Sequence, residues 1–193
     1  MPMSLTGDEK KAIRESNPFD TRNIRDEFKG VEHKLIKQYM ARVANSLVIV
    51  AVNIVNDFNV GSVVRSANAF GCERVILTES RRYDKRSAVG AYHYIDVDYE
   101  SDTLAVIETY RGKGYRIVAA EFDESREMQM LNEYYWNDHS VLIMGEEGLG
   151  LSSEVLDAVD DIVYIPMRGT VRSLNVASCA TTFMYAYENS IGV

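Results

Sequence analysis

Residues 47–71 read LVIVAVNIVNDFNVGSVVRSANAFG. Leu47–Ile54 is a run dominated by Val, Ile, Leu and Ala. A strand of that composition has no side to give to water, so it reads as buried on both faces of a sheet. A polar turn with Asn59 and Gly61 follows, and a helix is predicted over Gly61–Phe70 with Arg65 four residues after Gly61. Gly takes backbone angles that other residues avoid, and Asn bonds locally, so both suit a turn.

The same alternation runs on either side. Apolar residues at helical spacing (Val31, Leu35, Ile36, Tyr39, Met40, Val43) predict a helix over Val31–Ala44. Strands are predicted at Arg74–Leu77, Tyr115–Ala120, Val141–Met144 and Ile162–Ile165. Helices are predicted at Asp102–Tyr110, Ser152–Val159 and Asn175–Tyr187. Strands alternating with helices define an α/β fold: one mostly parallel sheet with helices on both faces. The chain divides into an N-terminal arm and helix, residues 1–46, and one domain, residues 47–193. Residues 1–30 are polar, are broken by Asn17-Pro18, and read as a loosely packed arm.

Composition narrows the functional classes. With 193 residues, 46% hydrophobic and 10% aromatic, the chain can build a core and is not a disordered polymer. No apolar stretch reaches the ~18 residues of a membrane span, and Met1–Lys11 lacks an apolar signal core. Cys72 and Cys179 are too few for a disulfide framework or a zinc cluster, so a cytoplasmic protein with reduced thiols and no membrane partner is expected. His33, His93 and His139 show no metal-ligand spacing, and no metal is expected. The net charge of -8 divides unevenly: +2 over residues 1–46, +2 over 47–95 and -12 over the rest. A polyanion is drawn to the first half. Its sharpest basic cluster is Arg81, Arg82, Lys85 and Arg86, interleaved with Tyr83 and followed by Tyr92, His93 and Tyr94. Cations for phosphates and rings for bases equip a loop for RNA, although a charge run by itself is more often a solvated surface.

Ligands of parallel sheets bind beyond the carboxyl ends of the strands, so the loops after the strands are where function is sought. Two follow later strands. Residues 142–152, LIMGEEGLGLS, carry Gly145, Gly148 and Gly150 around Glu147 and match neither the dinucleotide fingerprint nor a phosphate-binding loop. Residues 165–177, IPMRGTVRSLNVA, lead into the last helix, with Ser173 as a plausible N-cap.

Each loop alone is weak. In this order and spacing they resemble the SpoU/TrmH branch of the SPOUT RNA methyltransferases, whose motifs are N-x-G-x-x-x-R, G-x-E-x-x-G and I-P-M followed by S-L/M-N. Here they stand as Asn59-Val60-Gly61 with Arg65, Gly145-Glu146-Glu147-Gly148-Leu149-Gly150, and Ile165-Pro166-Met167 with Ser173-Leu174-Asn175. The resemblance covers Leu47 to Tyr187. It implies a C-terminal deep trefoil knot, a rare departure from unknotted topology. It implies a homodimer that transfers a methyl group from S-adenosyl-L-methionine to a ribose 2′-hydroxyl of tRNA or rRNA. Carried over by position, Asn59, Arg65, Glu147, Ser173 and Asn175 are the catalytic set. Ala120, Gly145, Ile165, Met167, Val171, Ser173 and Leu174 form the cofactor wall. RNA grips are expected at Arg81, Arg82, Lys85 and Arg86, and at Arg168 and Arg172 beside the cofactor loop.

The resemblance makes Arg65 a base once a phosphate touches it. A guanidinium is a fixed cation, which favours positioning the phosphate and stabilising alkoxide charge instead. Two other classes compete: a non-catalytic RNA-binding module of the same fold, and a Rossmann-type dehydrogenase, for which the glycine fingerprint is missing. Cys179, in an apolar helix, reads as packing in the core or against a partner subunit rather than as a nucleophile.

Overall fold

The computed structural model describes residues 20–79, 83–146 and 148–192. The elements are α1 (His33–Val43), β1 (Leu47–Val52), α2 (Asp57–Ala69), β2 (Arg74–Thr78), β3 (Asp96–Glu100), α3 (Thr103–Arg111) and β4 (Arg116–Ala120). They continue with β5 (Gln129–Met130), β6 (Ser140–Met144), α4 (Ser153–Ala158), β7 (Asp161–Tyr164) and α5 (Val176–Ile191). The sheet has seven strands in the order β3-β2-β1-β6-β4-β7-β5. Every pairing is parallel.

The apolar run at Leu47 behaves as its composition requires. All six residues of β1 are buried. Successive side chains of a strand point to opposite faces. Leu47, Ile49 and Ala51 join a core with Val60, Val63, Val64 and Ala67 of α2 and Ala180, Phe183, Met184 and Tyr187 of α5. Val48, Val50 and Val52 join the opposite core with Val106, Ile107 and Tyr110 of α3 and Val155 and Leu156 of α4. A polar residue at any β1 position would therefore meet a dry core. The helices α2 and α5 lie against each other, and Ser66 Oγ and Thr181 Oγ1 are bonded at 2.8 Å.

Helix starts differ from the sequence reading. The turn was expected at Asn59 and Gly61, yet α2 already begins at Asp57, because the Asn56 side chain accepts from Phe58 N. Gly61 is a helical residue. A Cβ there would fall 2.0 Å from Ser87 Oγ and 2.8 Å from Asp84 O, so its absence lets residues 84–88 dock on α2. In α5 the cap is Asn175 and not Ser173: its side chain accepts from Ala177 N and Ser178 N. β3, Asp-Val-Asp-Tyr-Glu, and β5 were not anticipated; both lie at sheet edges, where half-exposed or very short strands leave little apolar signal.

Residues 20–30 are fastened rather than loose. The Asp20 carboxylate accepts from the backbone N–H groups of Arg22 (3.0 Å) and Gly30 (2.8 Å) and from the Arg22 guanidinium. Phe28 is buried with Ile36 of α1 and Tyr94. Residues 1–19 of the expected arm lie outside the described residues.

One polar cluster ties the later strands together. The Arg116 guanidinium donates to both Asp161 oxygens (2.7 and 2.8 Å), and Tyr134 Oη donates to Asp161 Oδ2 at 2.7 Å. Burial pushes the Asp161 carboxyl up, but the bonds from Arg116 and Tyr134 and the Arg116 charge outweigh it and hold the group below its usual value. A carboxyl lowered in the folded state stabilises the protein above its unfolded value, and that contribution is lost as pH falls through the folded value. Asp161→Asn should cost about 2 kcal/mol at neutral pH. The gap from wild type should narrow in acid, as urea unfolding across a pH series will measure. A gap independent of pH would contradict this account of the cluster.

Candidate active site

β6, β4 and β7 are neighbours in the sheet, so their carboxyl ends open side by side. The segments leaving them enclose a cavity of about 320 Å³, within the range of small-molecule sites. Glu121 and Phe122 contribute from the end of β4, Gly145, Glu146, Gly148, Leu149 and Gly150 from the segment after β6, and Ile165 and Met167 from the segment after β7. Arg172, Ser173 and Leu174 close it in front of α5. Met144, Val163, Val176 and Phe183 form an apolar floor. Among the described residues, neither Glu121 nor Glu146 has a salt-bridge partner.

The glycines answer to the loop's own closure. Glu146 and Gly150 form an antiparallel bridge, and Gly150 N donates to Glu146 O at 3.1 Å. A Cβ on Gly145 would lie 2.5 Å from the Gly150 carbonyl. Gly150 has φ +66°, and a Cβ there would lie 2.4 Å from Glu121 Oε2. At 145 and 150 the close contact that leaves no room for a side chain is with the protein itself. Gly148 meets nothing nearer than Glu146 Oε1 at 4.0 Å. Glu147 lies outside the described residues.

Of the expected cofactor wall, Ala120, Gly145, Ile165, Met167, Ser173 and Leu174 line the cavity, while Val171 is 65% exposed and does not. Ser173 and Leu174 also border a second, polar cleft with Val55, Asn56, Asn59 and Asn175. Within it Asn175 Nδ2 donates to Asn59 Oδ1 at 3.0 Å, linking the first and third motifs across the α2–α5 contact. Arg65 stands elsewhere. It is exposed and lines a third cavity with Asn23, Arg25, Asn68, Ala88 and Val89, and that cavity shares no lining residue with the other two.

The expected RNA grips are dispersed. Lys85 Nζ lies 4.9 Å from the Tyr92 ring centre. The Arg86 guanidinium is hydrogen-bonded to Asp84, whose carboxyl it holds below the usual range, and it lies 5.4 Å from the Phe58 ring. Arg168 and Arg172 are exposed, and Arg172 reaches the first cavity. Arg81 and Arg82 lie outside the described residues. Cys179 borders the first cavity, and burial together with the Glu121 charge pushes its thiol up to about 11, so it is a neutral wall. Among the described residues no helix is long and apolar enough to cross a membrane, and no group of three metal-ligating side chains converges.

Glu121, Phe122, Glu146 and Leu149 line the cavity but escaped the sequence reading. A signal was available for Glu121: it is a carboxylate directly after an apolar strand, at the end of the sheet where ligands bind.

The site is thus a cavity of about 320 Å³ at the carboxyl ends of a parallel α/β sheet with a polar cleft beside it. The chain belongs to the SpoU rRNA Methylase family, whose profile matches residues 46–185. It is 30% identical over 158 residues to a Staphylococcus saprophyticus protein assigned to the TrmH family of tRNA/rRNA methyltransferases. That match covers 78% of this chain and 61% of the relative, so the chain spans less than two thirds of that protein's length. It is 22% identical to the tRNA (guanosine(18)-2′-O)-methyltransferase of Aquifex aeolicus, over 79% of this chain and 73% of that one. The solved structure of the SpoU methyltransferase AviRb from Streptomyces viridochromogenes with AdoMet superposes with a TM-score of 0.64 at 25% identity, covering 75% of this chain and 58% of that one.

Asn175 caps α5 and bridges to Asn59, so its two ends can be separated. Asn175→Ala should lower stability by about 1 kcal/mol, the usual worth of an N-cap. Asn175→Asp keeps the capping oxygen, lacks the donor to Asn59, and should melt within a degree or so of wild type. Thermal unfolding followed by circular dichroism measures both; equal losses in the two variants would contradict the capping role.

Proposed function

We propose that this protein transfers a methyl group from S-adenosyl-L-methionine to a ribose 2′-hydroxyl of tRNA or rRNA, as a homodimer. The observation that supports this best is the shared wall: Ser173 and Leu174 border both the cofactor-sized cavity and the cleft that holds Asn59 and Asn175. A donor in the first and a ribose in the second would be separated only by that wall.

The residues present fit the cofactor. Apolar side chains suit an adenine ring, Glu121 and Glu146 suit a cation, and Arg172 suits a carboxylate. Bound there, the cofactor supplies an activated methyl and its leaving group. The chain has to orient the hydroxyl, keep competing water out, and accept the proton it loses. Asn59, Ser173 and Asn175 are polar groups at the cleft that can hold the ribose. Glu147 belongs to the glycine loop by sequence, and its family-matched role is to order that loop or take part in proton handling.

Arg65 does not share the donor cavity of its own chain. Its exposure on α2 suits a role in a second copy's site, fixing the RNA phosphate and stabilising alkoxide charge. The same reading assigns Lys85, Arg86 and Arg168, with Arg81 and Arg82, to the RNA backbone, and moves Arg172 from that set to the cofactor cavity it lines. It also includes the trefoil knot, with the segment between β7 and α5 as the threaded part, and the division into residues 1–46 and 47–193. The AviRb complex with AdoMet and the Aquifex 2′-O-methyltransferase are the relatives that support the cofactor and the ribose target.

Methyl transfer to tRNA and rRNA, followed by mapping of alkali-resistant linkages, tests the reaction. One or a few resistant sites are expected; RNA binding without transfer would favour the binding-module reading, and alkali-labile methylation would point to a base. Arg65→Ala should lower single-turnover transfer by about 10²–10³, the usual cost of losing a transition-state donor. Mixing Arg65→Ala with Gly145→Ala protomers should restore about a quarter of wild-type activity, because half the dimers are mixed and each has one intact site. No recovery on mixing would place Arg65 in its own chain's site instead.

A further inference from the structure

The clearest unassigned group is the carboxylate at the end of β4. Glu121 Oε2 accepts from Leu151 N at 3.0 Å, and Glu121 Oε1 accepts from Phe122 N at 3.0 Å. The first bond joins the end of β4 to the far end of the glycine loop leaving β6. The fit is close: any side chain at Gly150 would collide with this carboxylate, whose Oε2 would lie 2.4 Å from a Cβ. The glycine thus makes room for an acid of the same chain. The acid is also part of the cavity wall, and its charge is felt at Cys179 on another side of the cavity.

A carboxylate has about four lone-pair sites, and two are used here by backbone N–H groups. No described cation pairs with it. Besides clamping the loop, Glu121 shares the cavity wall with Glu146 and with Arg172, and two carboxylates against that one described cation give the wall a negative balance that favours a cationic ligand.

Resting on the donor reading above, we propose that Glu121 is a positioning and selectivity residue. It clamps the glycine loop to β4, and its charge favours the sulfonium form of the cofactor over the uncharged thioether left after transfer. S-Adenosylmethionine and S-adenosylhomocysteine share the adenosine, the ammonium and the carboxylate. They differ in the methyl and in one positive charge at sulfur. A fixed anion on the wall discriminates on that charge, so it holds the donor and helps the by-product leave.

The loop clamp and the charge are separable by variants. Glu121→Gln keeps the shape and one acceptor and removes the charge. Glu121→Asp keeps the charge and shortens the reach to Leu151. Calorimetric titration of the full chain with each nucleoside gives two affinities per variant. In Glu121→Gln the preference for S-adenosylmethionine over S-adenosylhomocysteine should fall about tenfold, the factor one charge contributes across a partly hydrated site. In Glu121→Asp both affinities should weaken together and the preference should persist. A Glu121→Gln variant that loses both ligands equally, or neither, overturns the proposal while leaving the donor reading intact. Wild-type protein that binds neither nucleoside overturns the donor reading and this proposal with it. Circular dichroism melts of the two variants establish that they are folded when titrated.

Discussion

The parallel pairing of β6, β4 and β7 is the constraint on which the rest depends. Met144 of β6, Ala120 of β4 and Tyr164 of β7 end their strands at the same edge of the sheet. Parallel strands must leave in one direction, so three segments distant in sequence emerge side by side. The sheet can hold that register because both of its faces are dry. Shifting β1 by one residue would exchange Leu47, Ile49 and Ala51 with Val48, Val50 and Val52 between two cores shaped by different helices. The packing of α2 and α5 on one face then brings Asn59 and Asn175 within hydrogen-bonding distance.

Much of this was legible in the residues. Runs without polar alternation, at β1, β4 and β6, announced strands buried on two faces, and the loops after β6 and β7 singled out in the sequence are segments that line the first cavity. What was lost was local. Asn56 and Asn59 are both credible turn residues, and only the bond to Phe58 N decides that the first is the cap. Ser173 and Asn175 pose the same ambiguity, decided by the bonds to Ala177 and Ser178. Side-chain capping depends on a few tenths of an ångström, which composition does not encode. Gly61 looked like a turn glycine because the segment that lies against it, residues 84–88, is more than twenty positions away. Residues 20–30 looked loose because Asp20 and Gly30, which close on each other, are separated by polar sequence.

The charge pattern acquires a spatial meaning. The acidic later part of the chain contains Glu121 and Glu146 on the cavity wall, next to Arg172, the one arginine that lines it among the described residues. The cations of the earlier part, Arg25 and Arg65, meet at a separate cavity beside the anchored N-terminal turn. In the proposed reaction, Arg65 and the first cavity would have to be brought together by a bend of the RNA or by a second copy of the chain. Arg86, which by sequence belonged wholly to the basic cluster, is hydrogen-bonded to Asp84 and leaning on Phe58. A basic residue counted from sequence is thus not always a free charge.

Hydrogen–deuterium exchange with and without S-adenosylmethionine tests the convergence of the three segments most directly. The backbone amides of residues 121–122, 145–151 and 165–175 should slow together on binding, while those of residues 23–28 and 84–91 stay unchanged. Slowing confined to the cavity beside Arg65, or slowing of one segment without the other two, would contradict the assignment of the donor site.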